Sequence, residues 1–321
     1  MKEIIMKKVN KISSVVILAA LFIGGCSGIK YADKAPLPFD QIDYGYEVEY
    51  LEDDPSIAYI DEGSGDKTIL LVHGLASNAG FWRYNIEALS KDNRVIAIDL
   101  PGYGKSDKGD YDYGMAFYAD QIATFIDRMS LENVIYVGHS MGGQIGITLS
   151  INHPDVIDEL VLAAPAGIEK FDKGEGEWLA NVLTMEGTVK ATEPQVRTNL
   201  SINFYKWDSE YEWMVEERVR MAKTEEMKEF AYTVIQSIQA MIDEPTSDML
   251  KLVSHKTSII YGKYDGLIPN RYLNPGFPKD VFVKGNQLIP NSSLTEIDDA
   301  GHMLMIEKPE LFNQAIISAI R

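Results

Sequence analysis

The stretch that most restricts the fold is residues 134–150, VIYVGHSMGGQIGITLS. Residues 134–137 are apolar and β-branched or aromatic, the composition of a buried strand. Residues 141–150 read as a helix, and only Gly138, His139 and Ser140 separate the two. A strand that passes into a helix over so few residues does so through a sharp turn, which leaves no room for side chains. The glycines of Gly138-His139-Ser140-Met141-Gly142 meet that demand, and the pattern is G-x-S-x-G. Such a turn exposes the serine hydroxyl. The helix N-terminus behind it presents positive dipole to any oxyanion that develops there. Ser140 is therefore the candidate nucleophile.

The rest of the chain repeats this alternation. Strands are expected at residues 46–51, 57–60, 68–72, 95–98, 134–137, 160–163, 258–261 and 294–297. Helices are expected at 81–89, 115–129, 141–150 and 309–320. The run TILLV (68–72) suits a strand buried on both faces. The alternation predicts an α/β architecture, a mainly parallel sheet covered by helices on both faces. A helical interruption over residues 168–250 carries Trp178, Trp207 and Trp213, three of the four tryptophans, and six of the 13 methionines. It is expected as a small core of its own and as a cap over the site, with flexible apolar side chains lining an acyl pocket. The core is then split into residues 46–167 and 251–321.

Charge narrows the partners. The 321 residues hold 48 Asp and Glu against 30 Lys and Arg, a formal charge of −18. That field repels phosphate, so no nucleic-acid partner is expected. A single cysteine excludes an intramolecular disulfide framework and a cysteine-based zinc ribbon. No His or carboxylate cluster has metal-ligand spacing, so no metal is expected. Gly104-Lys105-Ser106 imitates part of a phosphate loop, but Asp99 stands where that loop needs glycine. No G-x-G-x-x-G opens a helix after the first strand, and no cofactor and no protein partner are expected.

The N-terminus reads as an address. Lys2, Lys7, Lys8 and Lys11 precede an uncharged apolar run over residues 12–25. That run is shorter than the about 20 residues a spanning helix needs, and reads as a secretory signal. It ends at Cys26, the sole cysteine, and resembles a bacterial lipobox, in which the cysteine is lipidated and becomes the first residue. The alternative is a plain signal peptide or an anchor with an incidental cysteine. The resemblance implies a signal peptide at 1–25 and an exported chain held to an envelope membrane through acylated Cys26. Ser27 resembles outer-membrane retention where the cell has two membranes. Residues 26–45 are expected as a tether, its aperiodic stretch of about 15 residues reaching at most roughly 50 Å.

A serine hydroxyl needs a base. Of His73, His139, His153, His255 and His302, only His302 lies on a loop after the last strand and before the last helix, where an open sheet places its site. Asp265 follows a strand in the same way and is the candidate to orient the imidazole. The oxyanion donors are assigned to the backbone N–H groups of Met141 and of Leu75, the latter in the loop after TILLV.

These pieces resemble one family. LLVHG (70–74), VIAIDLPGYGKSD (95–107), VGHSMGG (137–143), YGKYDGLIP (261–269) and DDAGHMLMIEKPELF (298–312) stand in the order of the α/β-hydrolase superfamily. The resemblance covers nearly all of residues 46–321 and implies an eight-stranded sheet with a helical cap. The order Ser140, Asp265, His302 is also that superfamily's. It implies a membrane-tethered serine hydrolase of carboxylic esters, esterase- or lipase-like, acting on a small acyl substrate. C–C bond or amide hydrolysis is the alternative, and a non-catalytic envelope binding module a more distant one.

Overall fold

The computed structural model describes residues 29–321. The expected signal peptide and the lipidation site Cys26 lie outside the described residues.

Eight strands form one sheet among the described residues: β1 (Glu49–Leu51), β2 (Ile57–Gly63), β3 (Thr68–Val72), β4 (Arg94–Ile98), β5 (Val134–His139), β6 (Glu159–Ala163), β7 (Lys256–Gly262) and β8 (Ser292–Ile297). Their spatial order is β1-β2-β4-β3-β5-β6-β7-β8. Only β2 runs against its neighbours, and every pair from β4 through β8 is parallel. This is the mainly parallel sheet that the alternation predicts. The strands β3 and β5 sit side by side at its centre, and every residue of both is buried. Unbroken apolar runs are what a sheet covered on both faces requires.

The helices follow from their patterning. Those before the insertion are α1 (Ile86–Leu89), α2 (Met115–Arg128) and α3 (Met141–Asn152). The α2 helix buries Met115, Tyr118, Ala119, Ile122, Phe125 and Ile126, a stripe at helical spacing. Residues 141–150 of α3 are buried all round, so this helix has no polar face. The helix expected at 81–89 is broken. A 3-10 turn at Ala79–Trp82 and α1 replace it, because buried Asn85 between them donates to Met305 O at 3.1 Å and Asn313 Oδ1 at 2.9 Å.

Between β6 and β7 the chain runs through α4 (Lys173–Val182), α5 (Met185–Val189), α6 (Glu193–Ser201), α7 (Glu212–Met221) and α8 (Met227–Asp243). Capping boxes start two of them, Asp172 with Glu175 for α4 and Thr192 with Gln195 for α6. After β7 come α9 (Pro278–Leu288), α10 (Leu304–Glu307) and α11 (Pro309–Ala319).

The tether expected at residues 26–45 is corrected from Tyr31 onward. Tyr31, Leu37, Phe39, Ile42 and Tyr44 are buried. The Tyr31 N–H donates to Glu193 at 2.9 Å, and its hydroxyl to Glu212 at 3.1 Å. The Phe39 N–H donates to Glu226 at 3.2 Å, and the Phe39 ring packs on Phe230 at 5.5 Å. Lys223 donates to the carbonyls of Tyr31, Ala32 and Lys34. At its far end the strap reaches the core, where the Tyr44 hydroxyl donates to Asp99 at 2.7 Å. Its buried residues 31, 37, 39, 42 and 44 follow neither period 2 nor period 3.6, so no pattern announced them.

Asp99 is the hub of this corner. Its fully buried carboxylate also accepts the N–H groups of Ala79 and Lys105, each at 2.7 Å. The loop at 102–106 therefore wraps a carboxylate rather than a phosphate. At Gly104 (φ +49°) a Cβ would stand 2.2 Å from the Asp99 side chain. Burial and the Asp99 charge together push the Tyr44 hydroxyl well above its usual pKa. Replacing Tyr44→Phe removes one bond to a buried charge and should cost about 2 kcal/mol. Urea unfolding measures this, and an unmoved midpoint would show that the strap adds nothing to the folded unit.

Candidate active site

At the end of β5 the backbone of Ser140 adopts φ 52° and ψ −115°, in the left-handed half of conformational space. Few residues with a Cβ accept that geometry, and it stores about 1–3 kcal/mol. Main-chain bonds hold it. The Ser140 N–H donates to Ala163 O at 3.0 Å, and its carbonyl accepts from Gly143 at 2.9 Å and Ala166 at 3.0 Å. The flanking glycines are close-approach residues. A Cβ at Gly138 would stand 2.3 Å from Gly142 O, and one at Gly142 would stand 2.5 Å from Val72 O. Both distances are far inside contact, so β3, β5 and α3 meet here only as bare backbone.

His302 lies between β8 and α10, and Asp265 follows β7. The structure brings the two together: His302 Nδ1 lies 2.8 Å from Asp265 Oδ2, and both side chains are buried. The other Asp265 oxygen accepts the N–H groups of Leu267 at 2.8 Å and Ile268 at 3.0 Å. A carboxylate so engaged only accepts, so Nδ1 carries the proton and Nε2 is left with its lone pair. Asp298 and Asp299 are nearer in sequence but turn elsewhere. Asp298 pairs with Lys263 at 3.0 Å, and Asp299 occupies a positive-φ turn. His302 also adjoins the elbow. Its ring lies 4.8 Å from that of His139, whose Nε2–H donates to His302 O at 2.9 Å.

The loop after β3 closes on the serine from the other side. A Cβ at Gly74 would stand 3.0 Å from Ser140 Cβ. His73 is a structural member of this loop. Its Nε2 accepts the Leu100 N–H at 3.1 Å, so Nδ1 holds the proton and donates to Gly74 O at 2.8 Å. Burial lowers the His73 pKa, which keeps the ring neutral. The Ser77 N–H donates to the same carbonyl. A trans peptide holds its C=O and N–H antiparallel, so anchoring Gly74 O also fixes the direction of the Leu75 N–H. Met141 is the first residue of α3, where N–H groups have no partner within the helix.

Of the remaining histidines, His153 pairs with Asp120 at 2.6 Å, and His255 bonds Pro154 O at 2.9 Å. Neither is part of the site.

Two groups of residues carry no sequence motif that marks a role. Arg218 on α7 is half-buried and bonds Ala76 O in the loop after β3, with its guanidinium 4.9 Å from the Phe230 ring centre. Burial pulls its pKa down to about 10, so it stays charged at neutral pH. Beside it, burial raises the Glu217 carboxyl to about 7 against the pull of Arg83 and Arg218. Arg218 and Glu217 line a small pocket with Ser77, Phe81, Met214 and Met221. The second group is Asn203 and Glu307, which hold the His302 loop. For Glu307 the signals were its place inside the stretch 298–312 and an acidic residue closing the apolar run 303–306.

Known proteins share this fold. The model of the family described as alpha/beta hydrolase fold matches residues 67–309. A curated relative, 2-hydroxy-6-oxo-6-(2'-aminophenyl)hexa-2,4-dienoic acid hydrolase of Metapseudomonas resinovorans, is 29% identical over 81% of this chain and 86% of its own. A probable hydrolytic enzyme from Pseudomonas aeruginosa PAO1 superposes with a TM-score of 0.80 at 24% identity, covering 89% of this chain and 99% of its own. An esterase from Exiguobacterium antarcticum gives a TM-score of 0.70 at 24% identity, over 83% and 96%. With the left-handed serine, the Asp265–His302 pair and the sheet order of the fold in place, the chain belongs to the α/β-hydrolase family.

Proposed function

We propose that this protein is a serine hydrolase that cleaves carboxylic esters through an acyl-enzyme on Ser140. The observation that carries the reading is the buried Asp265–His302 bond of 2.8 Å beside the left-handed elbow. The Ser140 hydroxyl attacks the acyl carbon while His302 Nε2 takes its proton. The carbonyl oxygen gains the negative charge and faces the N–H groups of Leu75 and Met141. Collapse breaks the ester bond, and His302 returns the proton to the leaving alkoxide. Water then attacks the acyl-enzyme, losing a proton to His302, and the acid leaves as Ser140 recovers its proton. Asp265 keeps the imidazole in its working tautomer and stabilises the cation. The methionines and tryptophans that the insertion carries, Met214, Met221, Trp207 and Trp213 among them, favour an apolar acyl group.

A second reading, hydrolysis of a C–C bond, has its own support. The half-buried cation of Arg218, bonded to the loop after β3, suits an anionic substrate, and the dienoic acid hydrolase above is similar over most of both chains.

Ser140→Ala is expected to abolish turnover of p-nitrophenyl esters, and Asp265→Asn to lower kcat by about 10⁴-fold. Ester hydrolysis retained by Ser140→Ala would sink the mechanism. A panel from acetate to palmitate, set beside a vinylogous diketone acid, separates the two readings. Serine-dependent turnover of the diketone acid alone would replace the ester assignment with the C–C one.

We also propose that Cys26 is lipid-modified and holds the chain to an envelope membrane. The basic start, the short apolar run and the position of the sole cysteine support it. Tyr31 follows Cys26 by five residues, a chain distance of at most roughly 18 Å. Metabolic labelling with a radioactive fatty acid should mark the wild type and not Cys26→Ala, and label retained by the variant would refute the anchor.

A further inference from the structure

We propose that Glu307 is a positioning residue that clamps the cap to the loop of His302, so that the cap itself aligns the general base. This rests on His302 acting as the base for Ser140. Three backbone N–H groups converge on the Glu307 carboxylate. Gly301 donates to one oxygen at 2.6 Å, and Tyr205 and Lys206 donate to the other at 2.9 and 3.2 Å. Gly301 precedes the base, while residues 205 and 206 belong to the cap between α6 and α7. One carboxylate therefore bridges two segments about a hundred residues apart.

The bridge is reinforced directly. Asn203 O, also in the cap, accepts the N–H groups of His302 at 2.8 Å and Met303 at 3.2 Å. Gly301 makes the approach possible, since a Cβ there would stand 2.5 Å from the Tyr205 nitrogen. The rings of Tyr205 and Tyr264 stack at 4.1 Å across the same junction, one residue from Asp265. The backbone of His302 is thus held at its N–H by the cap and at its C=O by His139 of the elbow. The side chain then has only its own two torsions, with Nδ1 fixed on Asp265. A carboxylate is the group this geometry needs. It offers two acceptor oxygens to three donors, whereas an amide offers one and points its NH₂ at another donor. Burial raises the Glu307 pKa, and the three N–H groups pull the other way.

A clamp of this kind makes cap position a term in kcat. Loosening it shifts the imbalance onto proton transfer, because displacing a catalytic group by about 1 Å costs on the order of a hundredfold in rate. Substrate binding under the cap is left largely intact.

The test compares the full chain with Glu307→Gln and with Gly301→Ala, which pushes the same segments apart from the other side. Working sites are counted by fluorophosphonate titration, and kcat and KM are measured per titrated site with the p-nitrophenyl ester the wild type prefers. Thermal unfolding is recorded alongside. Both variants should lose about tenfold or more in kcat per site, with KM little changed and the rate of fluorophosphonate labelling falling in parallel. A lowered melting temperature with kcat per site and labelling rate unaltered would overturn the clamp and leave Glu307 a stabilising residue only. A change confined to KM would overturn it too, in favour of substrate contact. A wild type that does not react with the fluorophosphonate would instead refute the Ser140 reading, and the clamp with it.

Discussion

The left-handed backbone of Ser140 is the constraint from which the rest of the site is measured. A residue with a Cβ stays at φ 52° only when its surroundings leave no alternative. Here the surroundings are β3, β5 and α3 in bare main-chain contact, with the Ser140 N–H and C=O both engaged. The strain, about 1–3 kcal/mol, is small beside the burial of a central parallel sheet. In return the hydroxyl is raised clear of the turn. Gly74, His139 and Ala163 are each placed by contact with this one residue or its neighbour.

Much of this was legible in the sequence, for physical reasons. Central parallel strands must be apolar on both faces, so TILLV and VIYV stood out as runs. The elbow demands glycine at Gly138 and Gly142 because backbone meets backbone there. Asp265 and His302 were found by position, since loops at the carboxyl ends of strands converge in an open sheet. What stayed hidden depended on bonds from side chain to backbone between distant segments. Glu307 reads as one more acidic residue until the N–H groups of Tyr205 and Lys206 are folded against it. Arg218 and Glu217 look like an exposed charged pair in a helix, but α7 turns them inward against the loop after β3. The strap was missed because its buried residues, 31, 37, 39, 42 and 44, follow no period of their own.

The electrostatics of the site differ from those of the molecule. The chain carries a formal charge of −18, yet the small pocket against the loop after β3 holds an arginine that stays charged and a carboxyl raised to about 7. In a low-dielectric pocket that local cation outweighs a diffuse acidic surface, which counterions screen over about 10 Å.

The strap also orders the assembly of the molecule in time. Tyr31 and Phe39 bond residues 162 to 187 positions later in the chain. During synthesis these N-terminal residues emerge first, yet their partners on α6, α7 and the start of α8 do not exist until most of the chain has been made. Closing so long a loop is entropically slow. A segment made early is thus among the last to lock, and until it does the acidic face of α6 and α7 waits uncovered.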